Sequence, residues 1–174
     1  LRVSNAIETK TQLALAGHES LINLLEKYLS LRGASTDKCM MTLGITGSKA
    51  QCRATLSQLK TITKSFNGIY TGTKLGDKWA AKRFTMPYLR ESLWQKGYAV
   101  DTLETATNWD NVDNLLNLIE DNLRTAIADQ GERVHAFTHL SHVYGQGCSI
   151  YTTYLFRMAA SYEKTFTWWK TLKG

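Results

Sequence analysis

Apolar residues recur at helical spacing along four long stretches of the chain. The first of these stretches ends before Gly33, which is a stop signal for a helix. Ser48 stands where a capping residue would begin the second stretch, and Asn108 or Asp110 stands before the third. The predicted helices cover residues 18–31, 48–66, 108–130 and 162–173, and two shorter helices within 77–97 meet near Thr85, beside Pro87.

Five shorter runs, alternating or apolar throughout, lie between turn signals and predict strands. The sequence Gly145-Gln146-Gly147 predicts a hairpin turn between the last two strands. Residues 1–17 have no firm periodicity, and we expect them to be a leading segment outside the domain. The predicted strands cover residues 38–46, 69–73, 98–107, 133–144 and 148–158.

This order of elements predicts an α+β fold. It contains two β-α-β units in the split arrangement of a ferredoxin-like core, with a mainly antiparallel sheet. A helical insert and an extra C-terminal strand and helix complete the predicted domain, residues 18–174. Two helices would cover one face of the sheet and leave the other face free to meet solvent or a partner.

Composition narrows the class of protein. The chain has 174 residues, a formal net charge of +6 and one proline, with 43% hydrophobic and 21% charged residues, which excludes a disordered chain. The basic residues are dispersed, so we expect no nucleic-acid binding. No apolar run is long enough for a membrane span, and no signal peptide is visible. Three cysteines without a CxxC unit favour a reducing, cytoplasmic setting. The first residue is leucine, which suggests a piece of a longer protein.

The richest candidate chemistry lies on the last two strands. Period-2 alternation places His135, His139 and Ser141 on one side of their strand, and His142 on the other unless a bulge reverses it. Tyr151, on the neighbouring strand, is a candidate acid or base if a charged neighbour favours its ionised form. Otherwise it is a packed aromatic residue.

Two other interpretations of these side chains stay open. His135 and His139 could project toward one metal ion, but no third ligand is evident nearby, so we predict no metal site. Arg83 and Arg90 could each clamp an anionic substrate through the planar guanidinium, or simply lie on solvated helix faces. Glu104 is either a site residue or an ordinary exposed strand residue.

Three segments, taken in order, resemble the C-terminal cap domain of FAD-linked oxidases of the vanillyl-alcohol oxidase type. They are Arg83 to Arg90 (RFTMPYLR), Val100 to Thr107 (VDTLETAT) and His139 to Tyr151 (HLSHVYGQGCSIY). Within that family the chain is most similar to bacterial relatives of alkylglycerone-phosphate synthase, over most of its length.

The resemblance implies an oxidoreductase in which this domain covers FAD and supplies the substrate pocket through its open sheet face. It implies that Arg90 binds an acidic substrate and that Tyr151 is the active-site tyrosine. His139 falls where related 2-hydroxyacid dehydrogenases have the first histidine of a metal-binding motif, whose second histidine is here Tyr151. His139 and His142 also depart from the synthase. The substrate would be hydroxy-acid-like or a phosphorylated carbonyl compound.

The family's FAD-binding domain and its glycine- and histidine-rich C-terminal stretch do not occur in these 174 residues. We therefore expect the chain to work with an FAD-binding domain of the same parent polypeptide, and to be inactive alone. Two alternatives remain: a freestanding ferredoxin-like binding module without catalysis, and a self-associating domain that forms a homodimer through the open face.

Overall fold

A computed structural model of the chain describes residues 1–17, 19–34, 37–84 and 88–174. The predicted helix start at His18, and the predicted junction at Thr85 and Pro87, lie outside the described residues. Among the helices described, none combines the length and hydropathy needed to cross a membrane. The elements are β1 (Arg2–Ser4), α1 (Ala6–Leu15), α2 (Glu19–Leu31), β2 (Met40–Thr42), α3 (Lys49–Ser65), α4 (Lys74–Lys82), α5 (Tyr88–Gln95), β3 (Tyr98–Asn108), α6 (Val112–Thr125), β4 (His135–Ser141), β5 (Gly147–Arg157) and α7 (Tyr162–Lys173).

The strands form one antiparallel sheet in the order β2-β1-β4-β5-β3. Strands β3 and β4 flank β5 and are joined through α6, which is a split β-α-β unit. The α+β fold with an antiparallel sheet is therefore confirmed. The hairpin of β4 and β5 is also confirmed, with Ser141 opposite Ser149 at its closed end.

Two parts of the element prediction were wrong. Residues 1–17 are not outside the domain, because β1 lies between β2 and β4 in the sheet and α1 follows it directly. A three-residue strand is too short to show periodicity, so the sequence pattern missed it. Residues 69–73, although they include three β-branched side chains, form no strand in the described structure. Strand β2 pairs with β1 instead of with that segment.

Local signals set the helix ends. Ser48 accepts a hydrogen bond from the backbone N–H of Gln51, whose side chain in turn accepts one from the Ser48 N–H. This reciprocal pair explains why α3 starts where the sequence predicts. The predicted 108–130 helix is interrupted: α6 ends at Thr125, and a short 3-10 turn then leads to Gly131. Gly131 has a φ of 77°, which glycine adopts without strain.

The hydrophobic core lies between the sheet and the pair α6 and α7. Residues of β5 alternate between buried and half-buried, so one face of this strand points into the core. The largest buried side chains there are Tyr154, Phe156, Ile127 and Trp168, and the Phe156 and Trp168 rings meet edge to face. Burial of these side chains fixes α6 and α7 on one face of the sheet.

Asp101 attaches α7 to β3 on the core face. Its Oδ2 accepts hydrogen bonds from the Trp169 indole N–H at 2.6 Å and from the Tyr154 hydroxyl at 3.4 Å, and Lys173 Nζ lies 3.3 Å away. Burial would raise the pKa of the Asp101 carboxyl, but the Trp169 and Thr102 N–H groups and the Lys173 charge outweigh it and hold that pKa below its ordinary value. Asp101 is therefore ionised at neutral pH.

A second carboxylate is buried where α6 meets β4. Glu120 is 3% exposed and accepts hydrogen bonds from Thr138 Oγ1 at 2.6 Å and Asn5 Nδ2 at 2.7 Å. Its other oxygen accepts from Arg124 Nη2 at 2.5 Å, and Thr138 also bonds the Thr152 hydroxyl. This network joins α6, β4 and β5 to the residue that precedes α1.

Candidate functional site

The second face of the sheet carries the predicted site residues in one cross-strand row. Tyr151 on β5 lies opposite Glu104 on β3 and opposite His139 on β4. Directly opposed residues of antiparallel strands project to the same side, so these three side chains share a face. The His139 and Tyr151 rings stack with centroids 4.8 Å apart. We call Glu104, His139, His142 and Tyr151 together the Tyr151 face.

His142 reaches this face by leaving the strand. Strand β4 ends at Ser141, and His142 has a φ of 45°, a conformation that is uncommon for a residue with a side chain. Its Nδ1 lies 3.9 Å from Glu104 Oε1 and 3.3 Å from Ser141 Oγ. The regular alternation, which would put His142 on the opposite side, is thus broken at this point. Both His142 and Glu104 are largely exposed.

Glu8 is the site residue that sequence analysis missed. It lies in the first turn of α1, is 1% exposed, and its Oε1 contacts His139 Nδ1 at 3.1 Å and Arg2 Nη2 at 2.5 Å. Burial would raise the pKa of the Glu8 carboxyl, but the His139 hydrogen bond and the Arg2 charge outweigh it and hold that pKa below its ordinary value. A buried carboxylate therefore stands behind the imidazole of His139.

The expectation of a free sheet face is only partly right. Helix α1 covers the side formed by β1 and β4, because Glu8 contacts His139 and Thr11 Oγ1 lies 3.0 Å from His135 Nε2. Partial desolvation, with the nearby Arg124, lowers the pKa of His135. The part formed by β5 and β3 remains accessible, and its side chains are half-buried or exposed. The accessible surface is polar, with Thr102, Thr153 and Ser149 beside Tyr151 and Glu104.

The two predicted anion-binding arginines lie on the helical insert and not on the sheet. Arg83 follows α4 and packs its guanidinium over the Phe84 ring at 4.6 Å, and Arg90 lies on α5. Both are exposed. Among the described residues, no hydrogen bond or ion pair connects either arginine to the Tyr151 face, so their role as an anion clamp stays a prediction.

Within the described ranges, no group of three or more His, Cys, Asp or Glu side chains is arranged to hold a metal ion. His135 and His139 are instead engaged through Thr11 and Glu8. The three cysteines are free thiols, and burial raises the pKa of Cys148 and of Cys39.

The Tyr151 face thus combines a phenol, two imidazoles and a carboxylate. Glu104 and His142 are exposed, whereas the His139 side chain, beside α1, is 11% exposed. These groups can donate and accept hydrogen bonds and can exchange protons with a bound polar molecule. A separate cavity of about 400 Å³ lies between α1, α2, β2 and the segment after α3. Its lining combines apolar side chains, among them Leu13, Leu29 and Met40, with polar ones such as Thr9 and Asn67.

Comparison with known proteins finds relatives that share one name, alkyldihydroxyacetonephosphate synthase. The chain is 24% identical over 162 residues to alkyldihydroxyacetonephosphate synthase of Trypanosoma brucei brucei, and 25% identical over 158 residues to that of Dictyostelium discoideum. These matches cover 89% and 87% of this chain but only 26% of each relative. The chain therefore spans about a quarter of the length of these relatives.

Two solved structures of alkyldihydroxyacetonephosphate synthase have the same fold. They superpose on this chain with TM-scores of 0.79 and 0.74 at 22% sequence identity. Each match covers 99% of this chain and 32% of the solved chain. The protein family described as FAD linked oxidases, C-terminal domain, matches residues 3–173. That match includes most of β1 and all of α1, which agrees with the place of β1 in the sheet. The chain belongs to the C-terminal domain family of the FAD-linked oxidases, whose parent enzymes are flavoproteins.

Proposed function

We propose that this chain is the substrate-binding cap domain of an FAD-dependent oxidoreductase that acts on a hydroxy-acid-like or phosphorylated carbonyl substrate. The observation that carries the proposal is the accessible Tyr151 face, where Tyr151 and Glu104 lie side by side and His142 reaches Glu104. Family membership supplies the context, because the parent enzymes of this family are linked to FAD. The name of the relatives, alkyldihydroxyacetonephosphate synthase, supports a phosphorylated carbonyl compound as one substrate class.

The accessible part of the sheet suits contact with a planar ring system from one side. Tyr151 and His139 present stacked aromatic rings, and Thr102 and Thr153 lie along the same face. FAD, when bound by another part of the parent polypeptide, would supply the redox chemistry. The residues of this chain would bind the substrate, orient it and exclude water around it.

Each residue of the Tyr151 face has a distinct role in this proposal. The Tyr151 hydroxyl and the His139 imidazole hydrogen-bond and exchange protons with the substrate. His142 and Glu104, 3.9 Å apart, close the exposed edge of the pocket as an ion pair when the imidazole is protonated. Arg90, with Arg83 as a second candidate, attracts the anionic group of the substrate from the neighbouring helical segment.

A partner domain also accounts for the apolar surface of α2. Leu21, Leu24, Tyr28 and Leu31 are 42–88% exposed and follow one another at intervals of three and four residues, which places them along one stripe of the helix. Such a stripe is costly to leave in water. We propose that the FAD-binding part of the parent polypeptide covers it, because the relatives are about four times as long as the match.

The test is made in the full-length protein that carries this chain, loaded with FAD. A panel of 2-hydroxy acids and alkyldihydroxyacetone phosphate is screened by anaerobic flavin absorbance and product formation. We expect Tyr151→Phe to lower turnover at least about tenfold, and Arg90→Ala to raise the half-saturating substrate concentration. The matched control is Arg53→Ala, an exposed arginine on α3. Equal turnover in Tyr151→Phe and wild type would refute the role of the face.

The homodimer and the freestanding module are the competing interpretations, and cytoplasmic localisation stays a prediction. On α7, Trp168 is buried in the core and the Trp169 indole N–H donates to Asp101, so the Trp168 ring offers no surface for self-association. Light scattering of the chain distinguishes monomer from dimer. A dimer with no flavin-dependent activity in the full-length protein would favour self-association over the cap.

A further inference from the structure

The contact between Glu8 and His139 indicates a more specific role for these two residues than the general one proposed for the Tyr151 face. Glu8 is held in place from two directions. Its backbone N–H is capped by Asn5 Oδ1 at 2.9 Å, and its Oε1 receives Arg2 Nη2 at 2.5 Å. With the side chain 1% exposed, the carboxylate has no freedom to turn away from the imidazole that it contacts.

The contact decides which nitrogen of His139 carries the proton. An ionised carboxylate only accepts hydrogen bonds, so His139 Nδ1, 3.1 Å from Glu8 Oε1, must be the donor. In the neutral ring, Nε2 then has no proton and is a hydrogen-bond acceptor. Stacking on Tyr151 restrains the plane of the same ring from the other side.

We propose that Glu8 is a positioning residue that fixes His139 in the Nδ1–H tautomer, so that Nε2 accepts a hydrogen bond from a hydroxyl or protonated amine of the ligand. This inference rests on the proposed function for the identity of the ligand pocket, and it deepens that function by requiring a donor group on the substrate. When Nε2 takes a proton, the imidazolium stays beside the Glu8 carboxylate, which balances its charge.

Two buried atoms next to this pair support a functional arrangement over a purely structural one. Glu8 Oε2 and Arg2 Nε are both buried and have no hydrogen-bond partner within the described part of the chain. A carboxylate kept only to stabilise the fold would be expected to use both oxygens, as Glu120 does with Thr138 and Arg124. Glu8 Oε1 contacts both His139 and Arg2.

The experiment reads the tautomer directly. The chain, with ¹⁵N-labelled histidine, is studied by long-range ¹H–¹⁵N correlation spectra of the imidazoles, and the His139 signals are assigned by their loss in His139→Gln. We expect the Nδ1–H tautomer in wild type. In Glu8→Leu, which removes the acceptor, the ratio of Nδ1–H to Nε2–H at His139 should fall at least about tenfold. Glu8→Gln keeps a carbonyl oxygen and should retain the wild-type tautomer.

The matched control is Thr11→Val. It removes the other hydrogen bond from α1 to a β4 histidine, at His135, and leaves His139 and Glu8 untouched. The His139 tautomer should be unchanged in this variant, with circular dichroism as the measure of folding. An Nε2–H tautomer in wild type, or no change in a folded Glu8→Leu variant, would overturn the inference. If Glu8→Leu does not fold, the wild-type spectrum still decides.

This measurement needs neither flavin nor substrate. A failure of the Tyr151→Phe turnover experiment therefore does not affect its outcome. Conversely, a wrong tautomer would leave the cap proposal intact and remove only the role of Glu8.

Discussion

Replacing Glu120 by glutamine tests whether the buried network between α6 and β4 stabilises the domain as strongly as its geometry indicates. The substitution keeps the size of the side chain and one oxygen that can still accept from Thr138 and Asn5, at 2.6 and 2.7 Å in the wild type. It places an amide N–H₂ toward Arg124 Nη2, so that two donors face each other where a carboxylate now accepts.

The size of the expected loss of stability follows from the burial of Glu120 and of its partner Arg124. A hydrogen bond to a charged group contributes about 1.5–3 kcal/mol, and breaking a fully buried ion pair costs about 3–5 kcal/mol. The side chain of Glu120 is 4% exposed but that of Arg124 is 32% exposed, so water recovers part of the loss at the guanidinium. We therefore expect Glu120→Gln to lower the free energy of unfolding by about 2–3 kcal/mol.

The same helix offers a matched control. Asp121 also pairs with Arg124, at 3.4 Å, but its side chain is 76% exposed. Asp121→Asn should change stability by no more than about 0.5 kcal/mol, as exposed pairs do. Urea unfolding at neutral pH, followed by circular dichroism with a shared m-value, measures both variants. Equal losses in the two variants, or less than about 0.5 kcal/mol for Glu120→Gln, would refute the reasoning.

Two further predictions concern the hairpin and acid stability. A Cβ at Gly147 would lie 2.0 Å from the carbonyl oxygen of Thr107, so Gly147→Ala should lower the free energy of unfolding by at least about 1 kcal/mol. A Cβ at Gly145 meets no atom within 4 Å, so Gly145→Ala should leave this free energy nearly unchanged. Thermal melting compares the two variants. Because the folded pKa of Asp101 lies below its unfolded value near 3.9, its contribution is complete above that pH and is lost as the pH falls further. Wild type should therefore lose stability between pH 4 and 2 more steeply than Asp101→Asn in acid titrations followed by fluorescence; parallel curves would count against the role of Trp169 and its partners.

The sequence pattern predicted those elements whose signals are local. Ser48 with Gln51 three residues later defines the start of α3, and the glycines around Gln146 define the hairpin of β4 and β5. Alternation alone placed His139 and Tyr151 on their strands, so the register only had to bring them together, which it does.

The remaining features depend on distant contacts. The strand Arg2–Ser4 exists because it pairs with β2 and β4, and nothing in three residues indicates this. Glu8 joins the site only through α1, which packs beside β4, so a position judged outside the domain supplies a buried carboxylate. The positive φ of His142 is set by the end of the strand, and no residue type there signals it.

The position of β1 has a consequence for how the domain assembles. Strands β3, β4 and β5 with α6 and α7 come from one continuous stretch of chain and can associate early, since their contacts are close in sequence. Strand β1 must wait, because Val3 and Ser4 pair with Leu140 and His139 near the opposite end of the chain. Until it docks, β4 presents an unpaired edge to other molecules, a template for aggregation during biogenesis. A chaperone that shields this edge would then raise the yield of folded protein.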